Sequence, residues 1–282
     1  MQGSVRVFVG NDDRMSMPLY SAVFVLIAAL AGLMVPMLRR RALYARLNAR
    51  IETLTSPGLD GLAVIATRPR ADFGQRLAAF DDFLPPGTLA AVTADAERLV
   101  APERSYIPTH KKGGTVAYET VIANAPALVA LYQSREMREF VSKLVGEPLR
   151  PTPLHDQSSL SVLFYDKPGD HIGWHYDHNF YLGRHFTVLL PVVNRGSGAG
   201  GLSHAQLTAQ LPGGDLGIAT PPNKLIVFEG ARVRHKVAPI IAGERRLVVS
   251  MTYCADPRER WWQGIARRVK DTAFFGVRAL WT

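Results

Sequence analysis

The chain of 282 residues contains one cysteine, no Asn-x-Ser/Thr sequon, no internal repeat and no Gly-rich phosphate loop. Because Cys254 is the only cysteine, an intramolecular disulfide and a cysteine-based zinc cluster are both excluded. The missing sequon fits a chain that does not meet the glycosylation machinery. Without a phosphate loop or a repeat, the sequence favours neither a P-loop nucleotide-binding protein nor a solenoid.

Charge is also absent from one long segment, "MPLYSAVFVLIAALAGLMVPML", residues 17–38. As a helix it would extend about 33 Å, enough to cross a hydrocarbon core of about 30 Å. The charges before it cancel, whereas Arg39, Arg40 and Arg41 follow it directly, so the positive-inside rule places the rest of the chain in the cytoplasm. We therefore predict a single N-terminal transmembrane helix and a single-pass membrane protein. A buried core helix is the alternative interpretation.

The net charge of +9 would suit nucleic acid, anionic lipid or an acidic metabolite. Much of it lies in "RRRALYARLNARIETLTS", residues 39–56, which the spacing of Leu43, Leu47 and Ile51 predicts to be a basic amphipathic helix. Its arginines suit anionic head groups at a membrane surface. Since no groove motif of basic and aromatic residues occurs elsewhere, we predict membrane lipid as a partner and no nucleic acid.

Helical segments precede strand-like segments in the remaining sequence. A helical segment is predicted from about residue 76, a second helix follows the break at Pro85 and Pro86, and a third covers "APALVALYQSREMREFVSKLVG" and ends at Gly146. Short β-branched and aromatic runs come next, separated by Gly, Pro and Asn: "SSLSVLFYD", "HFTVLLPVV", "KLIVFEG" and "RRLVVSMTY". This order predicts a mainly β fold, an antiparallel barrel or jelly roll with flanking helices.

Two histidines and one carboxylate in this part of the chain have the spacing of a metal site. In "YDKPGDHIGWHYDH", residues 165–178, His175 and Asp177 point to the same side of an extended chain. His235 ends an apolar run roughly sixty positions later. A ferrous oxygenase site takes two histidines and one carboxylate on one face of the metal and leaves the other face open. We therefore predict His175, Asp177 and His235 as metal ligands and catalytic residues.

These residues and their surroundings resemble the Fe(II)- and 2-oxoglutarate-dependent dioxygenases, most closely the prolyl-4-hydroxylase-like branch. The family pattern His-x-Asp … His … Arg/Lys is matched by His175, Asp177, His235 and Arg245, and "HKVAPIIAGER" meets the pattern H-x-V-x-P-x-x-x-G-x-R. The likeness covers roughly residues 105–256. It implies a double-stranded β-helix that uses Fe(II) and takes 2-oxoglutarate as cosubstrate, with ascorbate as a candidate reductant.

The resemblance also implies residues that bind the cosubstrate. Arg245 would hold the far carboxylate of 2-oxoglutarate, since a guanidinium group matches a carboxylate in two hydrogen bonds. Tyr165, ten residues before the first metal histidine, would bind the same carboxylate, and Thr187 would line the pocket. Neighbouring Arg246 is the alternative to Arg245. Alternation along a strand sends the two arginines to opposite faces, so only one of them can serve.

Simpler interpretations exist for several of these residues. His175 and Asp177 would then form a solvated turn pair, Tyr165 would be a core aromatic, and Thr187 an ordinary strand residue. Three further histidines are predicted to support the site or to lie at the surface rather than to bind the metal: His171, His178 and His185. Of these, His171 is the best substitute ligand, because it lies four positions before His175.

In the family, 2-oxoglutarate is decarboxylated to succinate and carbon dioxide, and a substrate C–H is hydroxylated. Relatives that halogenate have a small residue in place of the aspartate, so that halide reaches the iron, and the retained Asp177 therefore favours hydroxylation. The substrate stays open between a protein or peptide side chain and a lipid or small molecule at the cytoplasmic membrane face. A non-catalytic metal-binding β-barrel is the third hypothesis. The sequence does not indicate an oligomeric state.

The predicted organisation has five parts: a short tail over residues 1–16, the transmembrane helix over 17–38, a basic juxtamembrane helix and linker over 39–75, a cytoplasmic catalytic domain over 76–256, and a C-terminal helix over 257–282. The C-terminal segment is basic and carries Trp261, Trp262 and Trp281. This composition is typical of a helix at a membrane interface. A helix that packs against the barrel accounts for it equally well.

Overall fold

The computed structural model describes residues 16–56, 58–69, 71–99, 103–107 and 110–276. The chain divides into two compact units, residues 1–43 and 44–282. Helix α1 (Ser16–Thr55) is the first described element. Most of the predicted N-terminal tail, residues 1–15, lies outside the described residues.

Helix α1 contains the segment predicted to cross a membrane, residues 17–38, but continues without interruption through the arginine-rich segment to Thr55. Within the described ranges, no helix combines the length and the apolar character that crossing a bilayer requires. The predicted transmembrane helix and the single-pass localisation are therefore wrong. The charge-free run is one part of a longer helix whose second half carries five arginines. Membrane lipid as a partner, which rested on that helix, loses its support.

The amphipathic pattern predicted after residue 39 is present in the second unit. There Leu47, Ile51 and Leu54 of α1 are partly buried and pack against the hydrophobic core. The apolar side of this part of α1 thus contacts protein, which is the arrangement that most amphipathic helices of globular domains adopt.

Two short 3₁₀ helices and five α-helices complete the described helical part: Leu62–Thr67, α2 (Pro86–Arg98), α3 (Tyr118–Asn124), α4 (Pro126–Gln133), α5 (Arg135–Val145), Ala199–Gly201 and α6 (Trp261–Phe275). The helix predicted after Pro85 is confirmed as α2. The helix predicted up to Gly146 is two helices, because Ser134 is extended and caps α5, its hydroxyl accepting the N–H of Met137 at 3.1 Å. Gly146, with a φ of 80°, ends α5 as predicted.

Twelve strands are described: β1 (Leu77–Phe80), β2 (Glu103–Ile107), β3 (Lys111–Val116), β4 (Arg150–Pro151), β5 (Leu160–Tyr165), β6 (His171–His175), β7 (His185–Arg195), β8 (Leu207–Leu211), β9 (Gly214–Ile218), β10 (Leu225–Phe228), β11 (Arg234–Val237) and β12 (Arg245–Cys254). The four strand-like runs of the sequence correspond to β5, β7, β10 and β12. The helical segment predicted from residue 76 is wrong, because β1 lies there and pairs with β10.

The strands form one antiparallel sheet in the order β1-β10-β7-β12-β5-β3-β6-β11-β8-β9, with β2 beside β3 and β4 beside β12. The mainly β fold with flanking helices is therefore confirmed, and the antiparallel half-barrel is consistent with the predicted jelly roll.

The two faces of this sheet have different roles, as the alternation along β12 shows. Leu247, Val249 and Met251 lie in the large core cluster that the helices share. The residues that alternate with them along β12 line a pocket on the other face: Arg246, Val248, Ser250 and Thr252. Since successive side chains of a strand point to opposite faces, one face of the sheet builds the core and the other builds the pocket.

Candidate metal centre and cosubstrate pocket

Two neighbouring strands bring the predicted metal ligands together. The strands β6 and β11 pair antiparallel, with His175 directly opposite His235. Asp177 lies two residues beyond the end of β6, where its N–H donates to the carbonyl of Gly230 at 3.0 Å. Residues that are far apart in the chain are thus adjacent in the sheet.

The ligand atoms of these three residues converge. Nε2 of His175 lies 3.5 Å from Oδ1 of Asp177, and Nε2 of His235 lies 3.8 Å from the same oxygen. Nδ1 of His175 is 2.8 Å from the carbonyl of Gly173, and Nδ1 of His235 is 3.0 Å from the carbonyl of Val233. A carbonyl only accepts, so each Nδ1 carries the proton and each Nε2 keeps its lone pair for a metal. The donor set of two imidazoles and one carboxylate fits Fe(II).

The ionisation of the three residues also suits a divalent cation. Burial would raise the pKa of Asp177, but His235, His175 and Thr187 lower it well below its ordinary value, so the carboxylate is charged at neutral pH. Burial lowers the pKa of His235. For His175 the lowering by burial is outweighed by Asp177, which raises the pKa. Metal binding by His175 would need the neutral imidazole, so protonation of His175 would compete with it.

Thr187 and Gly230 hold the carboxylate of Asp177 in place. The hydroxyl of Thr187, on β7, donates to Oδ2 of Asp177 at 2.5 Å. A Cβ on Gly230 would lie 2.7 Å from Cβ and Oδ2 of Asp177 and 2.8 Å from Oγ1 of Thr187, so only glycine fits without movement. Thr187, which was expected to line the cosubstrate pocket, lies in the wall of this pocket and also supports the predicted ligand Asp177.

We expect Gly230→Ala to weaken metal binding by about 10- to 100-fold, the range found when the partners of metal ligands are disturbed. The added methyl group would displace the carboxylate of Asp177. Titration of the wild type and the variant with Co(II) would measure the change. Gly213→Ala is the matched control, because a Cβ at Gly213 meets no atom within 4 Å. Equal affinities for Gly230→Ala and the wild type would contradict the role given to Gly230.

The structure separates the two neighbouring arginines by position, and only Arg246 lines the pocket. Arg245 lies on the outer face of β12 and pairs with Glu97 of α2 at 3.1 Å. Arg246 is almost fully buried and lines the same pocket as the predicted metal ligands. In the sheet Arg246 pairs with Tyr165 of β5, and its guanidinium carbon lies 5.0 Å from the centre of the tyrosine ring. Register therefore brings Arg246, and not Arg245, to the inner face beside Tyr165.

Both inner residues have buried polar atoms without partners. Among the described residues, neither Nη2 of Arg246 nor the hydroxyl of Tyr165 makes a hydrogen bond. Nε of Arg246 lies 3.4 Å from Oγ1 of Thr220. Burial lowers the pKa of Arg246 and raises that of Tyr165. Because a buried guanidinium without an anion is costly, this pair fits the carboxylate of a ligand.

The three other histidines near the motif do not join the converging ligand atoms of the described residues. His171 is half-buried, with Nδ1 2.8 Å from the carbonyl of Gly169. His178 is exposed and stacks on Phe180, with 5.7 Å between the ring centres. His185 is buried and lines the pocket.

The pocket beside the three ligands is larger than a metal ion needs. Its cavity volume is about 160 Å³, whereas a single water occupies about 10–15 Å³ by the same measure. Lys111 of β3 and the preceding His110 form one part of its wall, and the ring centre of His110 lies 5.5 Å from that of His175. The cavity therefore has room for a cosubstrate and for part of a substrate.

The C-terminal helix α6 forms another part of the wall, through Lys270, Phe274 and Phe275. Its buried Arg267 donates to Glu259 and to the carbonyl of His155, at 2.8 and 2.7 Å. Of the two interpretations of this segment, the structure describes the helix packed against the barrel. Trp261 and Trp262 lie on its exposed side, and Trp281 lies outside the described residues.

Three features of the site escape sequence reasoning: Gly230, Lys111 and the wall formed by α6. In "FEGARVRH" Gly230 resembles an ordinary turn glycine, and its closeness to Asp177 depends on tertiary packing. The run "HKKGG" resembles a solvated basic turn. The available clue was strand alternation, which puts Lys111 and Thr115 on one face of β3.

Comparison with known proteins identifies a family model and several solved structures that this chain resembles. The family model described as "HalD: Halogenase D" matches residues 66–206. This range includes His175, Asp177 and Tyr165 but ends before His235 and Arg246. Among curated proteins, none matches the chain.

Several solved structures share the fold. The non-heme alpha ketoglutarate dependent epimerase SnoN from nogalamycin biosynthesis is 19% identical over 68% of this chain and 81% of that chain, with a TM-score of 0.52. Another structure of SnoN, 17% identical over 68% of this chain and 83% of that chain (TM-score 0.52), is a complex with Fe3+, alpha ketoglutarate and nogalamycin RO.

Two further structures complete the comparison. An oxidoreductase of the 2OG-Fe(II) oxygenase family from Burkholderia pseudomallei is 17% identical over 70% of this chain and 94% of that chain (TM-score 0.50). A prolyl hydroxylase from Trichoplax adhaerens, in complex with a hypoxia inducible factor peptide fragment, is 14% identical over 75% of this chain and 92% of that chain (TM-score 0.50). The predicted resemblance to Fe(II)- and 2-oxoglutarate-dependent oxygenases is thereby confirmed.

Proposed function

The chain belongs to the Halogenase D family, and we propose that it is an Fe(II)- and 2-oxoglutarate-dependent dioxygenase. We propose further that it hydroxylates a substrate C–H in the manner of the prolyl-4-hydroxylase-like branch. The observation that carries the proposal is the convergence of His175, Asp177 and His235 in one pocket with a buried Arg246. A metal-binding barrel without catalysis would have no use for an unpaired guanidinium beside its metal. The proposed catalytic domain is residues 76–256, to which α6 adds part of the pocket wall.

Each residue then has a role that follows from its position. The metal would be held by Nε2 of His175, Oδ1 of Asp177 and Nε2 of His235. Arg246 would bind the far carboxylate of 2-oxoglutarate through its guanidinium group, and the hydroxyl of Tyr165 would donate to the same carboxylate. Fe(II), with 2-oxoglutarate and O₂, supplies the oxidation, which yields succinate and carbon dioxide and places one oxygen atom in the substrate. Ascorbate would serve as reductant.

Asp177 supports hydroxylation rather than the halogenation that the family description names. For halogenation, a halide ion would have to bind the metal at the coordination position that the Asp177 carboxylate would occupy. Here Oδ2 accepts from Thr187, Gly230 packs against the side chain, and Oδ1 faces both imidazoles. The surrounding residues thus keep a carboxylate at this position. The enclosed pocket suits a small molecule or a single side chain of a protein.

The test is an assay of the wild-type protein that measures both succinate release and the product formed from the substrate. Incubation with Fe(II), 2-oxoglutarate and O₂ is expected to release succinate, and a chelator to abolish the release. In a cell extract with ¹⁸O₂ and chloride, mass spectrometry should find a product that gains one ¹⁸O and none with the isotope pattern of chlorine. Succinate release in the presence of the chelator would contradict the enzyme class. A chlorinated product would show that halogenation is the reaction.

A further inference from the structure

Lys111 is a second buried cation in the pocket without an anionic partner. Its side chain is buried, and Nζ donates to Oγ1 of Thr115 at 2.6 Å. Nζ also lies 4.7 Å from the centre of the Phe274 ring. Among the residues that the structure describes, no carboxylate acts on this ammonium group.

The other cations of the pocket are accounted for. Nζ of Lys270 lies 3.0 Å from Oδ1 of Asp156 and 2.7 Å from Oγ of Ser158. Arg246 would take the far carboxylate of 2-oxoglutarate, and the near carboxylate belongs to the metal. The cosubstrate has only two carboxylates, so none remains for Lys111.

Burial of this ammonium group is unfavourable as long as it stays unpaired. Burial lowers the pKa of Lys111 to about 7, with a smaller effect of Lys270 in the same direction. An anion beside Nζ would interact more strongly with it than in water, because the pocket has a lower effective dielectric. The site thus favours an anionic ligand that the fold itself does not supply.

Lys111 lines the same pocket as the three predicted metal ligands, and its charge acts on His175. The residue before it, His110, has its ring centre 5.5 Å from that of His175 and 6.3 Å from that of Phe274. This wall therefore offers a cation, a hydroxyl group and an aromatic ring next to the place where the reacting C–H would lie.

We propose that the substrate carries a carboxylate that pairs with Lys111 and accepts from the hydroxyl of Thr115, while Phe274 packs on the adjoining carbon atoms. The inference rests on the proposed function, since it takes Arg246 as the site of 2-oxoglutarate. One ammonium and one hydroxyl group match the two oxygens of a carboxylate. A phosphate has three terminal oxygens and would leave one unmatched.

Acetate is the probe for this site. The full chain, loaded with Mn(II) and 2-oxoglutarate under nitrogen, is titrated with acetate in a calorimeter. Acetate is expected to bind the wild type, with a Kd that rises at least about tenfold in Lys111→Met. Lys111→Arg should keep most of the affinity, because it keeps the cation. Lys111→Met should fold, since it removes an unpaired buried charge.

Lys112→Met is the matched control. Lys112 is the next residue on β3, and its Nζ donates to the carbonyl of Pro168 outside the pocket. Its acetate affinity should stay within about twofold of the wild type, as for other changes of exposed charge. Loss of acetate binding in this control equal to that in Lys111→Met would overturn the inference.

Three other results would overturn it as well: equal acetate affinity in the wild type and Lys111→Met, no acetate binding to the wild type, or tighter binding of inorganic phosphate than of acetate. Weaker binding of 2-oxoglutarate itself in Lys111→Met would assign Lys111 to the cosubstrate and also reject the inference. Binding of Mn(II) and 2-oxoglutarate is measured first. Its failure in the wild type would reject the proposed function together with the inference, whereas failure of acetate alone leaves the function intact.

Discussion

His175→Ala and His235→Ala are each expected to lower metal affinity roughly 100- to 1000-fold and to remove the 2-oxoglutarate-dependent release of succinate. Four-ligand zinc sites bind with about 10–16 kcal/mol, which corresponds to about 2.5–4 kcal/mol for each ligand. Both imidazoles direct Nε2 at the same carboxylate oxygen, so neither can replace the other. Equilibrium dialysis with Fe(II) under nitrogen and a succinate assay in air would measure the two effects.

His171→Ala is the matched control for these variants. His171 lies on β6 with His175, but its Nδ1 lies 2.8 Å from the carbonyl of Gly169. Among the described residues, it does not belong to the group whose ligand atoms converge. Metal affinity and succinate release should therefore stay close to those of the wild type. If His171→Ala lost metal as completely as His235→Ala, the assignment of ligands would be wrong.

Arg246→Met is expected to raise the KM for 2-oxoglutarate about 100- to 1000-fold. A hydrogen bond to a charged group contributes about 1.5–3 kcal/mol, so the loss of two from a guanidinium group costs about 3–4 kcal/mol or more. Methionine fills most of the space of the buried arginine stem, which keeps the pocket packed. The KM is measured from succinate release at increasing 2-oxoglutarate.

The neighbouring Arg245→Met provides the control, because Arg245 pairs with Glu97 near the surface. Exposed ion pairs contribute about 0–1 kcal/mol, so the KM should change by no more than about fivefold. A larger effect at Arg245 than at Arg246 would restore the choice that the sequence favours and reject the inner-face assignment.

The three residues proposed as metal ligands, whose ligand atoms the structure brings together, could be singled out in the sequence because their spacing reflects local geometry. His175 and Asp177 are two residues apart at the end of a strand, and His235 opens a second strand with a distinctive context. The pairing of these strands was implied only by the family resemblance. The strands themselves were visible for the same reason, since β5, β7, β10 and β12 are runs of β-branched and aromatic residues.

The choice between Arg245 and Arg246 could not be made from the sequence. Alternation shows that the two lie on opposite faces of β12, but not which face is the inner one. That depends on the register with β5, where Arg246 is opposite Tyr165. Counting alternation along β12 would have required knowing that Val248 and Ser250, rather than Leu247 and Val249, line the pocket.

Other errors came from tertiary context that a local pattern does not contain. The run 17–38 was predicted to cross a membrane and to continue into a basic helix; α1 does extend to Thr55, but among the described residues no helix is long and apolar enough to span a bilayer. Lys111 is buried because Phe274 of a distant helix covers it, and Gly230 matters because Asp177 occupies the space of its missing side chain. The last two features depend on contacts between residues that are remote in the chain.

Because His175 pairs directly with His235, a metal ion held by both would stabilise the fold. The two strands meet only after roughly sixty intervening residues have closed into a loop. An unfolded chain has no such pair, so the proposed ion would bind the native state and would shift the folding equilibrium by mass action, by about 2.7 kcal/mol at a concentration 100 times the Kd. The melting temperature and the rate of succinate release should therefore both increase with the Fe(II) concentration.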